Sequence, residues 1–179
     1  MPTALVPLFE GFEEIEAITI IDVLRRGNIE VVTASLAEQT VMGAHAIAIT
    51  ADQLLDVVDT SQFDAIILAG GAGTFRLRKD HRIASIIRAQ AAANKLVAAI
   101  CAAPTVLSNA GLLRGKQATS FPAVKDQLEV DKYLELPVVV DGNLVTSRGA
   151  GTAMAFALKL VAILQGEAIA NKLAKDMIV

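Results

Sequence analysis

The chain has 179 residues, 54% of them hydrophobic and 20% charged, which is enough apolar content for one domain, residues 1–179, with a sizeable core. A formal charge of -3, 4% aromatic residues and no Trp argue against the basic stripe and stacking platform that nucleic acid requires. A single cysteine forms no intramolecular disulfide, so a reducing compartment is expected rather than a stapled secreted scaffold.

The opening "MPTALVPLFEGFEEIEA" lacks a basic leader and turns acidic within ten residues, unlike an export signal. Its first apolar run, "TALVPLF" (3–9), reads as a strand, followed by a helical pattern over 12–26. "IEVVTAS" (29–35) reads as the next strand. "AHAIAIT" (44–50) and "ADQLLDVVD" then predict a smaller strand and a helix near the edge. "FDAIILAGG" (63–71) and "KLVAAIC" (95–101) are two more strands, with crossover helices expected over 75–93 and 103–113. "PVVVDGNLVTS" (137–147) predicts a hairpin turning at Asp-Gly-Asn, and two helices close the chain from Gly151 onward.

Strands of this continuous apolar kind suit a parallel sheet buried on both faces, so an α/β layered fold is expected. The apolar run "LVAAICAAPTVL" is interrupted by Pro104 and stops short of the ~20 residues a bilayer span needs; a cytoplasmic protein without membrane contact is expected.

In open α/β sheets reactive groups gather where strands turn into helices. Three turns qualify: "LFEGFEE", "LAGGAGTF" and "AICAAPT". In the last, Cys101 ends a strand and Pro104 stands where a helix begins. Facing the free amides of that helix, the sulfur is expected to have a lowered pKa and to be a usable nucleophile. The other reading is an inert thiol packed as a small hydrophobe. His45 and His81, the only histidines, lie outside the three turns and read as surface or edge residues, which disfavours peptide hydrolysis through a Cys-His pair.

Glu13, Glu14 and Glu16 cluster at the first helix start. Solvated positions at the positive end of the helix dipole account for Glu13 and Glu14. Glu16 shares a face with Ile20 and Val23, so its carboxyl either points inward with a raised pKa or stays partly solvated near the helix end. Gly70 and Gly71 leave backbone amides open to an oxyanion. "GGAGTF" lacks the further glycine of a dinucleotide fingerprint, and no His/Cys cluster is present, so neither a cofactor nor a metal is expected. The first helix is apolar around most of its circumference, from Ile15 to Leu24, and needs cover from a second layer or a second subunit.

The pieces "GFEEIEA", "IDVLRR", "ILAGG", "AAICAAPT" and "TSRGAGTAMAFAL", in this order from residue 3 to about 166, resemble the ThiJ/PfpI superfamily, and most closely its DJ-one branch, the Parkinson-disease-associated protein deglycase family. The resemblance implies a flavodoxin-like three-layer sandwich, a homodimer through the first helix, and a cysteine on a strained nucleophile elbow. It implies that Glu16 contacts Cys101, that the amides of Gly71 and Ala102 form an oxyanion pocket, and that Arg26 and Arg148 are candidate anion-binding residues. Members are described as cofactor-free glyoxalases or protein deglycases acting on dicarbonyls or glycated amino groups. They are also described as oxidation-prone proteins that form a cysteine sulfinate, and as stress chaperones for unfolded clients. Three positions depart from relatives: Phe121 and His45 replace a His and an Arg found in some, and Ala102 replaces the His of the protease-like branch.

Overall fold

In the computed structural model, which describes residues 1–179, the chain runs β1 (Thr3–Leu8), α1 (Glu14–Arg26), β2 (Glu30–Ser35), β3 (Thr40–Met42), β4 (Ala48–Thr50), β5 (Gln53–Leu54), β6 (Ala65–Leu68), α2 (Thr74–Leu77), α3 (His81–Ala92) and β7 (Leu96–Ile100). It continues through α4 (Pro104–Asn109), β8 (Gln117–Ala118), β9 (Lys132–Tyr133), β10 (Val138–Asp141), β11 (Leu144–Ser147), α5 (Ala153–Gln165) and α6 (Glu167–Asp176).

Seven strands make the central sheet in the order β10-β11-β7-β6-β1-β2-β5, and every pairing but β10 with β11 is parallel. The middle strands are the continuous apolar runs of the sequence, because a strand covered by helices on both sides has no solvent face to make polar. In β6 and β7, Ile66, Ile67, Val97, Ala98 and Ile100 are all fully buried within one core of 45 residues. From β1 the chain steps one way to β2, while from β6 it steps the other way to β7. With right-handed crossovers, these opposite steps put α1 and α3 on opposite faces. α5 packs beside α1, and α6 beside α5, completing the layer on that face.

Local chemistry sets the element ends. Glu13 caps α1 by accepting the Glu16 N–H at 2.7 Å. The expected crossover over 75–93 is divided in two, since Asp80 accepts the Arg82 N–H at 2.9 Å and caps a fresh helix, α3. The hairpin at Asp141 to Leu144 turns through Gly142, whose φ is 62°.

The helix expected after Ala51 is absent: the segment gives the two-residue β5 and a short 3-10 turn, Leu55–Val57. Asp52 accepts both the backbone N–H and the hydroxyl of Thr33, at 2.9 and 2.8 Å, and thereby holds the chain extended against β2. That long-range anchor overrides the local helical pattern.

Ile67 is fully buried in β6, the middle strand of the seven. Ile67→Ala is expected to lower the unfolding free energy by about 2–5 kcal/mol, read from the shift of the urea midpoint at unchanged slope.

Candidate active site

The switch in strand order falls between β1 and β6, so the loops leaving β1, β6 and β7 open side by side at one end of the sheet. They carry Glu16, Gly70 with Gly71, and Cys101. Cys101 has φ 64°, a left-handed conformation that costs a residue with a Cβ about 1–2 kcal/mol. Two backbone bonds hold it there: its N–H donates to the Ser147 carbonyl at 3.0 Å, and its carbonyl accepts the Phe121 N–H at 2.8 Å. Pro104, at the start of α4, turns the chain away immediately afterwards. The cysteine thus stands on a nucleophile elbow.

Two glycines allow the neighbouring loop to close on it. A Cβ on Gly70 would lie 2.7 Å from the Cys101 Cβ and 2.9 Å from Glu16 Oε2, inside contact distance of both. One on Gly71, whose φ is +111°, would lie 2.4 Å from the Glu13 nitrogen and the Gly11 carbonyl oxygen. The backbone N–H groups of Gly71 and Ala102 donate to no backbone carbonyl and face the sulfur instead.

Glu16 takes the inward position. It is fully buried, and its Oε2 accepts the Gly70 N–H at 2.8 Å. Its Oε1 has no hydrogen-bond partner, while the carboxyl lies against the Cys101 side chain. Burial pushes the Glu16 pKa up to about 7, against the opposing Gly70 N–H.

The thiol departs from expectation. Burial, then the charge of the Glu16 carboxylate, push Cys101 up to about 12, and the amides of Ala102 and Gly71 only partly offset them. The expected lowering by the helix start fails because α4 is a short helix, whereas the nearest full charge is negative.

Glu13 and Glu14 are not solvated helix-start residues. Glu14 is 3% exposed, and it accepts both the backbone N–H of His45 and its ring Nδ1, the latter at 2.7 Å. Burial works to raise the Glu14 pKa, but the two His45 bonds, with the backbone N–H groups of Glu14 and Ile47, together outweigh it and hold it below the usual carboxylate range. The same contact raises the His45 pKa. The ring itself stays in solvent, as an edge residue should, but the loop carrying it clamps the start of α1. Nothing local in the sequence signals this pairing, which joins residues 31 positions apart. Glu13, Glu14 and His45 also bring their ligand atoms within 4.8 Å of one another, although both Glu14 oxygens are already engaged by His45.

Arg26 and Arg148 are not brought together. Arg26 ends α1, paired with Asp22 at 2.8 Å, and stands about 15 Å along the helix from Glu16. Arg148 directly follows β11 at the cysteine end of the sheet, its N–H donating to Thr152 Oγ1 at 3.2 Å.

A parallel-sheet α/β protein with a nucleophile elbow at the strand ends is the class these features define. The DJ-1/PfpI family profile matches residues 2–163, and the chain belongs to that family. It is 40% identical to "Protein DJ-1 homolog B" of Arabidopsis thaliana over 99% of its own length, but spans only 41% of that relative. It is 38% identical to the "Glutathione-independent glyoxalase DJR-1.2" of Caenorhabditis elegans, covering 94% of this chain and 91% of the relative. A relative named deglycase in Pyrococcus horikoshii is 35% identical over 86% of this chain and 94% of its own. The crystal structure of Drosophila melanogaster DJ-1beta superposes with a TM-score of 0.94 at 41% identity, covering 99% of this chain and 98% of that one. The fold is flavodoxin-like.

A carboxyl whose pKa rises on folding binds its proton more tightly in the folded state, so stability falls as pH climbs from the unfolded value of 4.5 through about 7. Glu16→Gln is expected to remove this decline and to exceed the wild type above that window by on the order of 3 kcal/mol, measured by urea unfolding at several pH values. In an NMR titration, the His45 ring is expected to show a midpoint above 6.5 that falls back in Glu14→Gln.

Proposed function

We propose that the protein is a cysteine-dependent enzyme, working without a cofactor, that converts reactive dicarbonyls such as methylglyoxal or their early adducts with amino groups. The observation that carries this reading is the meeting of one strained cysteine with a buried carboxyl of pKa about 7 and two unengaged backbone amides. Relatives named glyoxalase and deglycase support the substrate class.

Glu16 and Cys101 titrate as a pair. After the first proton leaves, the pair holds one negative charge and one shared proton. With that proton on Glu16 Oε1, the sulfur is anionic, the repulsion from the carboxylate is gone, and an oxygen with no other partner gains an acceptor. The Gly71 and Ala102 amides stabilise the thiolate from the other side.

The thiolate adds to the aldehyde carbon, and the displaced carbonyl electron pair goes to oxygen, which takes the Glu16 proton to give a hemithioacetal. Glu16, now a carboxylate, removes the proton from the former aldehyde carbon and returns it to the adjacent carbon, while the hydroxyl proton of the hemithioacetal passes to the neighbouring ketone oxygen, leaving a 2-hydroxy thioester. Water cleaves the thioester and frees the thiol. The sum is methylglyoxal plus water to lactic acid, with no external oxidant or reductant. The same amides serve the oxyanion that develops during addition and hydrolysis.

The site also supports a second reading, a redox sensor with holdase activity towards unfolded clients. The donors around the sulfur are those that would stabilise a sulfinate. A homodimer through α1 fits either reading, since Ile15 and Ile18 stand 59% and 45% exposed on that helix. The cytoplasm is the compartment proposed for both.

Cys101→Ala is expected to form no lactate from methylglyoxal; lactate formation at the wild-type rate would overturn the mechanism. Alkylation of Cys101 by iodoacetamide is expected to rise with pH to a plateau near the first ionisation of the pair, about pH 7, and to rise again only towards 12. In Glu16→Gln the carboxylate repulsion is absent, so the upper step is expected to move down and leave a single transition.

A further inference from the structure

One side chain at the rim of the cysteine turn takes no part in the chemistry above. Phe121 is 46% exposed, although a solvent-facing benzyl group adds nothing to the core. Its position is fixed by backbone bonds. The Phe121 N–H donates to the Cys101 carbonyl at 2.8 Å, so the residue is tied to the elbow itself. Just before it, Thr119 and Ser120 are fully buried, and the Ser120 carbonyl accepts the Tyr133 hydroxyl at 2.9 Å. Just after it, Pro122 starts a 3-10 turn and carries the chain away.

The ring lies beside Gly149, where its Cδ2 would be 3.7 Å from an added Cβ, an ordinary contact distance. Gly149 follows β11, the strand paired with β7, which ends at the cysteine. The ring therefore sits at the same end of the sheet as the sulfur. It is apolar, rigidly based and without a proton to exchange.

We infer that Phe121 is a specificity-determining residue that makes the cysteine site favour electrophiles with an aromatic or branched apolar substituent. On the dicarbonyl reading, on which the chemistry of this inference rests, these are 2-oxoaldehydes bulkier than methylglyoxal, of the phenylglyoxal type. An aromatic contact of this kind corresponds to about three- to tenfold in relative rate.

The test separates the two ideas. Cys101 is alkylated with N-phenyl-iodoacetamide and with N-methyl-iodoacetamide, and the ratio of rates is compared in wild type, Phe121→Ala and Phe121→Leu. The aromatic preference is expected to fall three- to tenfold in Phe121→Ala and less in Phe121→Leu, which keeps an apolar side chain and guards against a disturbed backbone anchor. A ratio that is the same in all three proteins overturns the inference, whatever the turnover. Phenylglyoxal and methylglyoxal are then compared as substrates by acid product. A higher kcat/KM for phenylglyoxal that drops selectively in Phe121→Ala supports both ideas. A ratio sensitive to Phe121 with no acid product from either glyoxal supports the apolar rim and overturns the dicarbonyl reading.

Discussion

The carboxyl of Glu16 is held out of water with one oxygen on the Gly70 N–H and the other without a hydrogen-bond partner, and the Cys101 side chain lies against it. Ionising both groups would place two negative charges together in a poorly solvated space, where neither can be screened. The pair is therefore limited to a single charge across the neutral range. Much of the surrounding geometry serves that limit: the missing Cβ of Gly70 lets sulfur, carboxyl and the Ala102 amide approach, and the left-handed backbone at Cys101 aims the sulfur into the gap. Reactivity then depends on where the remaining proton sits, and a partly buried thiol with an intrinsically high pKa is compatible with catalysis.

Topology supplies the closeness. Glu16, Gly70 and Cys101 are separated by tens of residues, yet each lies just beyond a strand that neighbours the next in the order β1, β6, β7. Parallel pairing puts all three strand ends on the same side, and the reversal of winding between β1 and β6 keeps that end uncovered by crossover connections. Moving the register of a central strand would separate the charged groups even with every residue unchanged.

Much of this was legible in the amino-acid sequence, for identifiable reasons. Strands buried on both faces must be apolar throughout, so β1, β2, β6 and β7 stand out as uninterrupted runs; Pro104 and the Gly70-Gly71 pair mark where two of them turn. Glu16 could be placed on the apolar face of α1 by counting along the helix. What could not be read depends on distance through space. The burial of Glu14 is produced by a loop some thirty residues later, the extended chain at Asp52 by a hydrogen bond to Thr33, and the upward displacement of the thiol by its burial in the fold and then by a carboxylate on another element. Position is likewise a matter of space for the two arginines: Arg26 ends α1 beside Asp22, while Arg148 follows β11 at the cysteine end, and similar charge chemistry carries no information about which end of the sheet a residue occupies.

The short β5 at one margin of the sheet has a bearing on behaviour at high concentration. A margin of only Gln53 and Leu54 offers an incoming polypeptide too few free amide and carbonyl groups to dock as an additional strand, and at the opposite margin Pro137 precedes β10 and lacks an N–H to donate. Little of either side of the sheet is thus left as a long, flat template for edge-to-edge pairing, a constraint that bears on a chain with more than half its residues hydrophobic.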